Sequence, residues 1–498
     1  MRGFLFISAL CAATLVGHAQ TKPKKAAPAP QKETTTVTND GYNIPVTITP
    51  LKNCWVYIGC YYGKFRNVVD SAWMDENSKA VFSGKAKLPG GIYFLVSPRH
   101  TILSEFLMDD VQKFSVATDT LHPDQVVITG SAENALYQKY TSFLAKKGPE
   151  LTALQNQLKD AHTAADTARI REQLTAGNKE LNDYRDTLVN QNPNSMLALF
   201  LNAIKQPEPP PAPKLANGRI DSLFPARYVK EHYWDNIPLH DDRLLRTPFF
   251  DDHKLEPYLK YYVRPEPDSV IEDINYILLS SRAGKDMFKY LLGRFTDKYI
   301  NPEIMGQDKV FIFLFNNYFS KGDTLWLSTK QKEYIFNRAY SLMANQIGEQ
   351  AAVLDLVDTS GKPSPMYAQK APFTFVLFWD PNCGHCKEMV PRIDSMYEAK
   401  WKAKGIKIYA VNIDEKANDA WKKYIKDNHL KGWLHVYQTK EQRDADVANG
   451  RANYRQLYDV FQTPTMYLLD DQKRIIAKKL SLEQFDEVMS AKKKTDSK

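Results

Sequence analysis

The stretch Phe378-Trp379-Asp380-Pro381-Asn382-Cys383-Gly384-His385-Cys386-Lys387 decides the fold of the C-terminal third of the chain. It closes the apolar run Phe373 to Trp379, which reads as a buried strand, and the residues after Cys383 read as helix. Cys383 therefore stands at a helix N-terminus, where free backbone N–H groups and the positive end of the helix dipole stabilise a thiolate. His385 adds a donor or a partial charge. Lowering a thiol pKa from about 8.5 to about 7 takes roughly 2 kcal/mol, which the dipole and one such neighbour supply together. The gain in rate is modest, because the thiolate fraction rises about fifteenfold while nucleophilicity falls about fivefold, leaving roughly threefold. Cys383 is the expected attacking thiol. Cys386, one helical turn further in and less exposed, is the expected resolving thiol.

Outward from this motif, strands and helices alternate: Phe373 to Trp379, a helix from Cys383, Ile406 to Ile413, a helix around Trp421 to Ile425, Thr465 to Leu469, Arg474 to Lys478, and a last helix from Leu482. Such alternation implies an α/β domain whose sheet is covered on both faces. Thr463-Pro464-Thr465 stands just before one of these apolar strands.

On these residues, Ile347 to about Met489 resembles the TlpA/ResA-type thioredoxin-like family, and the Gly384-His385 dipeptide is similar to that of protein disulfide isomerases. Ile347-Gly348-Glu349-Gln350-Ala351 and Asp358-Thr359-Ser360-Gly361-Lys362 resemble that family's lead-in hairpin. The resemblance implies a thioredoxin fold and a thiol-disulfide oxidoreductase that works without cofactor or metal. Cys383 and Cys386 would form its reversible disulfide, and His385 and a cis Pro464 facing the Cys pair would complete the catalytic group. Thr463 and Trp379 would meet the substrate, Thr463 by pairing its exposed backbone with an extended segment. The implied partners are disulfide-containing proteins and a membrane electron donor of the thioredoxin-reducing type, with reduction or isomerisation favoured over oxidation. Two departures stand out. Relatives of the thioredoxin and isomerase kind carry a buried carboxylate six residues before the first cysteine, where this chain has Leu377. The Glu that TlpA/ResA-like relatives often place three residues after the second cysteine is Met389 here, with Glu388 one position early. That step turns the side chain about 100°, which suits a solvated surface charge better.

The rest of the chain reads as several further segments. Residues 1–19 have the positive end, apolar stretch and small-x-small cleavage site of a secretory signal, which implies a periplasmic protein starting at Gln20. Cys11 follows Leu10, where a lipoprotein signal needs a small residue, so lipidation is not expected. A polar leader (20–41), read as disordered, precedes a β domain (42–131) with runs such as Cys54 to Tyr62, Lys79 to Leu88, Gly91 to Val96 and Phe114 to Ala117, expected to form a small sandwich or half-open barrel. Leu151, Leu154 and Leu158, then Leu174, Leu181 and Leu188, mark a helical hairpin (132–206). A Pro-rich linker (207–218), an α-helical domain (219–346), the thioredoxin-like domain (347–490) and a basic tail (491–498) follow. The β domain, with Leu88-Pro89-Gly90-Gly91-Ile92-Tyr93, and the helical middle resemble uncharacterised domains that precede such thioredoxin domains in Bacteroidetes proteins.

Other classes fit less well. A zinc site needs four ligands, and no second Cys or His pair lies at finger or ribbon spacing. Covalent haem attachment needs His after the second cysteine, where Lys387 stands, and the Pro-x-x-x-Thr-x-x-Cys setting of a peroxiredoxin is missing before Cys383. The charge of +8 is spread too thinly to mark a nucleic-acid partner, and after the signal no run approaches the roughly 18 apolar residues of a membrane span. The alternatives left open are a peptide or glycan binding protein on which the thioredoxin domain merely docks, and a disulfide-forming oxidase. Cys54 and Cys60 fall on one strand face, their α-carbons about 20 Å apart along an extended chain and so beyond the roughly 7 Å limit of a disulfide. Peptide mapping by mass spectrometry under non-reducing conditions is expected to find no Cys54–Cys60 crosslink; finding one would mean that this strand folds back on itself.

Overall fold

The computed structural model describes residues 41–122 and 125–495. The signal segment, nearly all of the leader and the end of the basic tail lie outside the described residues. By its contacts the chain divides into two compact units, one running to Val263 and including Ile277–Tyr290, the other made of Arg264–Tyr276 and the residues from Leu291 onward.

The first unit holds the strands β1 (Tyr42–Thr49), β2 (Cys54–Tyr62), β3 (Phe65–Met74), β4 (Lys79–Gly84), β5 (Gly91–Val96), β6 (Ile102–Met108), β7 (Ser115–Asp119) and β8 (Val127–Thr129), of which β1, β4, β7 and β8 alternate inward and outward residues and β5 is apolar and buried throughout. They form two four-stranded sheets, ordered β4-β1-β7-β8 and β3-β2-β5-β6. Ile44, Val46 and Ile48 of β1 share a core with Val56 and Ile58 of β2, Tyr93 and Leu95 of β5, and Phe106 and Met108 of β6. This period of two, facing inward from both sheets, is that of a sandwich. Cys60 is buried in this core, Cys54 packs against it, and both are free thiols. The Pro89-Gly90-Gly91 turn needs its second glycine: at φ +150 a Cβ on Gly91 would come within 2.3 Å of the Arg246 Cβ, while the next residue, Ile92, donates its N–H to the Arg246 carbonyl at 2.8 Å.

The hairpin helices span Ala132–Lys159 and Ala164–Gln191, capped by the side chains of Ser131 and Thr163, and the second ends at Asn192, just before Pro193. Leu151, Ile170, Leu174 and Leu181 close their seam. Asn134, fully buried in the first turn, ties this hairpin to the sandwich. Its Nδ2 donates to the Leu107 carbonyl at 2.8 Å and its Oδ1 accepts the Leu107 N–H at 2.7 Å. Leu107 lies on β6, an edge strand, so one side chain satisfies both polar groups of a peptide edge that would otherwise be left unpaired.

The second unit holds the helices Asp308–Asn317 and Thr329–Met343 and a six-stranded sheet. Its strands are β9 (Val357–Asp358), β10 (Phe373–Trp379), β11 (Lys407–Asn412), β12 (Leu434–Tyr437), β13 (Thr465–Asp470) and β14 (Ile475–Lys478), in the order β14-β13-β10-β11-β12-β9. The helices Gly384–Met396, Asn418–Asp427 and Leu482–Thr495 follow β10, β11 and β14 in the chain. Central β10 is apolar apart from Thr374, because it is covered on both faces. Phe375, Leu377 and Trp379 point into the layer that holds Cys386, Val390 and Phe485, whereas Val376 and Phe378 point into the layer of Tyr409, Tyr458 and Tyr467. No helix among the described residues is long and apolar enough to cross a membrane.

Asn134→Ala is expected to leave the Leu107 N–H and carbonyl buried and unpaired, costing about 2–4 kcal/mol. Urea unfolding followed by tryptophan fluorescence checks this, and a midpoint equal to that of the unmodified chain would contradict the edge-clamp account.

Candidate active site

β10 pairs in parallel with β11 and antiparallel with β13, with Phe378 opposite Thr465. The residues leaving β10 and those entering β13 therefore meet at one end of the sheet. After β10, Asp380 makes a tight turn in which its side chain accepts the Asn382 N–H at 2.7 Å and its carbonyl accepts the Cys383 N–H at 3.2 Å. This turn delivers Cys383 as the N-cap of the helix Gly384–Met396, with extended backbone at φ −71 and ψ 125. On the other side, the Thr463–Pro464 bond is cis and the Thr463 carbonyl lies 3.5 Å from the Cys383 Sγ.

The two sulfurs sit in opposite environments. Cys383 is partly exposed, while Cys386 is wholly buried beneath it. A hydrogen bond with the Thr463 side chain holds the Cys383 thiol below its ordinary value, with smaller contributions from the backbone N–H groups of Cys386 and His385 at the helix N-terminus. Donation from Sγ to the Thr463 carbonyl favours the protonated form, but the groups that donate to the sulfur outweigh it. Burial pushes the Cys386 thiol up to about 12, against a smaller opposing contribution from the Asp380 backbone N–H. Both are free thiols in this structure.

Of the residues anticipated from sequence, Cys383, Cys386, Thr463 and Pro464 come together at this end of the sheet. His385 is exposed in the first helical turn, where its backbone N–H serves Cys383. Trp379 requires a correction: it is fully buried, packed edge-on against Tyr424 with ring centroids 5.3 Å apart. A side chain with no exposed surface supports the site from below and does not meet a substrate. As the last residue of a central strand it points into the same layer as Leu377, a consequence of period-two alternation along a strand covered on both faces. Leu377 is itself buried, and Glu388 lies exposed on the helix.

Tyr424 and Asp380 were not anticipated. Burial raises the Tyr424 phenol and the charge of an ionised Cys386 raises it further, which places this ring beside the resolving sulfur. Its position three residues after the buried Trp421, on the same helix, was the available signal. For Asp380 the signal was the Asp-Pro pair that opens the turn. Among the described residues no group of three or more His, Cys, Asp or Glu side chains is arranged to hold a metal ion.

Residues 373–475 match the model of a family described as thioredoxin-like, while residues 42–137 and 213–345 match two domains of unknown function, DUF4369 and DUF5106. Among solved structures, a domain of a possible thiol-disulfide isomerase from Cytophaga hutchinsonii is 33% identical over 30% of this chain and 97% of its own, with a TM-score of 0.27. A thioredoxin-like protein from Bacteroides caccae is 20% identical over 56% of this chain and 97% of its own, with a TM-score of 0.43. The thioredoxin domain of a thiol-disulfide oxidoreductase from Bacteroides vulgatus is 26% identical over 29% of this chain and 96% of its own, with a TM-score of 0.25. No curated protein matches the chain in sequence. The domain that carries Cys383 and Cys386 is thus thioredoxin-like, matching that family's model over residues 373–475.

Proposed function

We propose that this chain is an exported reductase or isomerase of protein disulfides, working in the periplasm and kept reduced by a membrane electron donor of the thioredoxin-reducing type. The observation that carries this reading is the partly exposed Cys383 sulfur at a helix N-terminus, facing the Thr463 carbonyl and lying above a buried Cys386. An extended substrate segment pairs with the backbone at Thr463, which brings its disulfide to Cys383.

The Cys383 thiolate attacks one substrate sulfur. The substrate S–S bond breaks, a Cys383–substrate disulfide forms, and the other substrate sulfur leaves as a thiolate that takes a proton from water. Cys386 then loses its proton and attacks the Cys383 sulfur, which releases the second substrate thiol and leaves a Cys383–Cys386 disulfide. Two electrons and two protons from the donor restore the dithiol. In isomerisation the released substrate thiolate attacks a different disulfide of the same protein, and the substrate thiolate freed there attacks the Cys383–substrate disulfide, forming the new substrate disulfide and releasing Cys383 as a thiolate with no net transfer of electrons. Having Leu377 in place of a carboxylate slows the deprotonation of Cys386, so mixed disulfides live longer, which favours isomerisation. A second reading, disulfide-forming oxidase, draws on Gly384-His385 and the depressed Cys383 thiol, since a stabilised thiolate makes the pair more oxidising. The dipeptide tunes the potential, but the electron donor decides the steady state.

Insulin reduction by the purified chain tests the activity, and Cys383→Ala is expected to abolish it; full activity in that variant would sink the assignment. Cys386→Ala is expected to attack substrate and then stall, giving mixed disulfides visible on non-reducing gels. Acid quenching of cells followed by mass-tag alkylation reports the direction of electron flow, with a mainly reduced Cys383–Cys386 pair expected and a mainly oxidised one favouring the oxidase. The opposite shifts of the two thiols carry a pH signature: between about pH 6 and 9, iodoacetamide is expected to label Cys383 and spare Cys386, because each thiol reacts only as far as it ionises. Comparable labelling of both at pH 7, read by peptide mass spectrometry, would contradict the division of labour.

A further inference from the structure

The segment that leads into Thr463 and Pro464 is held from outside the thioredoxin-like match. Asp459 stands in a left-handed turn at φ 52, a conformation that an aspartate adopts more readily than most residues but at some cost, and its carboxylate is buried. Arg338, on the helix Thr329–Met343, pairs with that carboxylate through Nη1 and is itself only 5% exposed. The rest of its guanidinium is anchored, with Nη2 donating to Asn301 Oδ1 at 2.8 Å and Nε to the same oxygen at 3.1 Å. Just past the end of this helix, the Nδ2 of Asn345 donates to the Leu457 carbonyl at 3.0 Å. The Arg338 guanidinium also lies 5.6 Å from the centre of the Phe461 ring, a residue 75% exposed and two positions before Thr463. Arg338 and Asn345 thus reach three points of the chain, at residues 457, 459 and 461, immediately before the residue whose carbonyl faces the Cys383 sulfur. Arg338 falls within residues 213–345, the stretch that matches a domain of unknown function.

The geometry points to Arg338 as a positioning residue for disulfide exchange: by gripping the Asp459 turn it fixes where Thr463 stands against the Cys383 sulfur. This rests on the reading of Cys383 as the attacking thiol. It gives the helix before the thioredoxin-like domain a part in the chemistry, through Asp459, without any contact with substrate. The planar guanidinium suits the task because it engages Asn301, Asp459 and the Phe461 face at once, which a lysine ammonium cannot do.

The test uses the full chain with Arg338→Met and Arg338→Lys. In both variants Asp459 keeps a cation, because Lys479 Nζ lies 3.0 Å from its Oδ2. Folding is checked by circular dichroism, and Cys383 alkylation by iodoacetamide is followed from pH 5 to 9 by peptide mass spectrometry. In folded Arg338→Met, the Cys383 rate at pH 7 is expected to fall about threefold, the size of one net hydrogen bond lost at the sulfur, and the midpoint of the pH profile to move upward. Arg338→Lys, which keeps the charge but not the fork, is expected to fall between the two, and it decides the matter where Arg338→Met does not fold. A folded variant whose Cys383 pH profile overlays that of the unmodified chain would overturn the proposal, since a purely structural role lowers stability without moving a thiol titration. Insulin reduction by the unmodified chain is measured alongside. Its failure would remove the oxidoreductase reading, while the alkylation profile still judges the positioning.

Discussion

The pairing of β10 with β13 is the constraint on which the rest of the site depends. Because these neighbours run antiparallel with Phe378 opposite Thr465, the chain leaves one and enters the other at the same end of the sheet. The Asp380 turn, the helix that begins at Gly384 and the Thr463–Pro464 step are therefore neighbours by construction. A one-residue slip in this register would turn every side chain of β13 to the opposite face, exchanging Leu468 with Tyr467 and Leu469 between two filled layers. Close packing on both sides of β10 is what makes that slip prohibitive.

The same helix treats its two cysteines differently because they stand at different depths. Cys383 is the cap, outside the first turn, with N–H groups ahead of it and partial access to water. Cys386 has entered the helix and lies in the same layer as Trp379, Val390 and Phe485, where the cost of desolvating a charge dominates. Three positions along the chain thus separate a thiol that ionises readily from one that resists ionisation, and no charged side chain is needed to create the difference.

Much of this was legible in the residues themselves. A mainly apolar run followed within a few residues by a Cys-x-x-Cys announces a buried strand and a helix start, because burial on both faces and capping each leave a compositional mark. The β domain was legible through its alternation, though not whether it closes as a sandwich or a half-open barrel, and the hairpin was legible through its leucines. Residues 434–437 were not read as a strand, since four residues are too few to display a period. The direction of Trp379 was missed because an aromatic beside a reactive motif suggests contact with substrate, and only the sheet's second covering layer reveals that it points inward. The grip of Arg338 on Asp459 joins residues 121 apart, a relation that no local pattern encodes.

With Cys386 wholly buried and Cys383 partly exposed, the pair offers the outside a single sulfur. Under the proposed function, any thiolate that reduces the oxidised pair would strike Cys383 and expel Cys386 into the interior, the reverse of the step that releases a client. Client and electron donor would then use one doorway, at Cys383, and could not occupy it together. Turnover would alternate between two half-reactions on the same protein, each sensing the other only through the oxidation state left behind. An abundant client would compete with the donor for that doorway as well as consume the electrons it delivers.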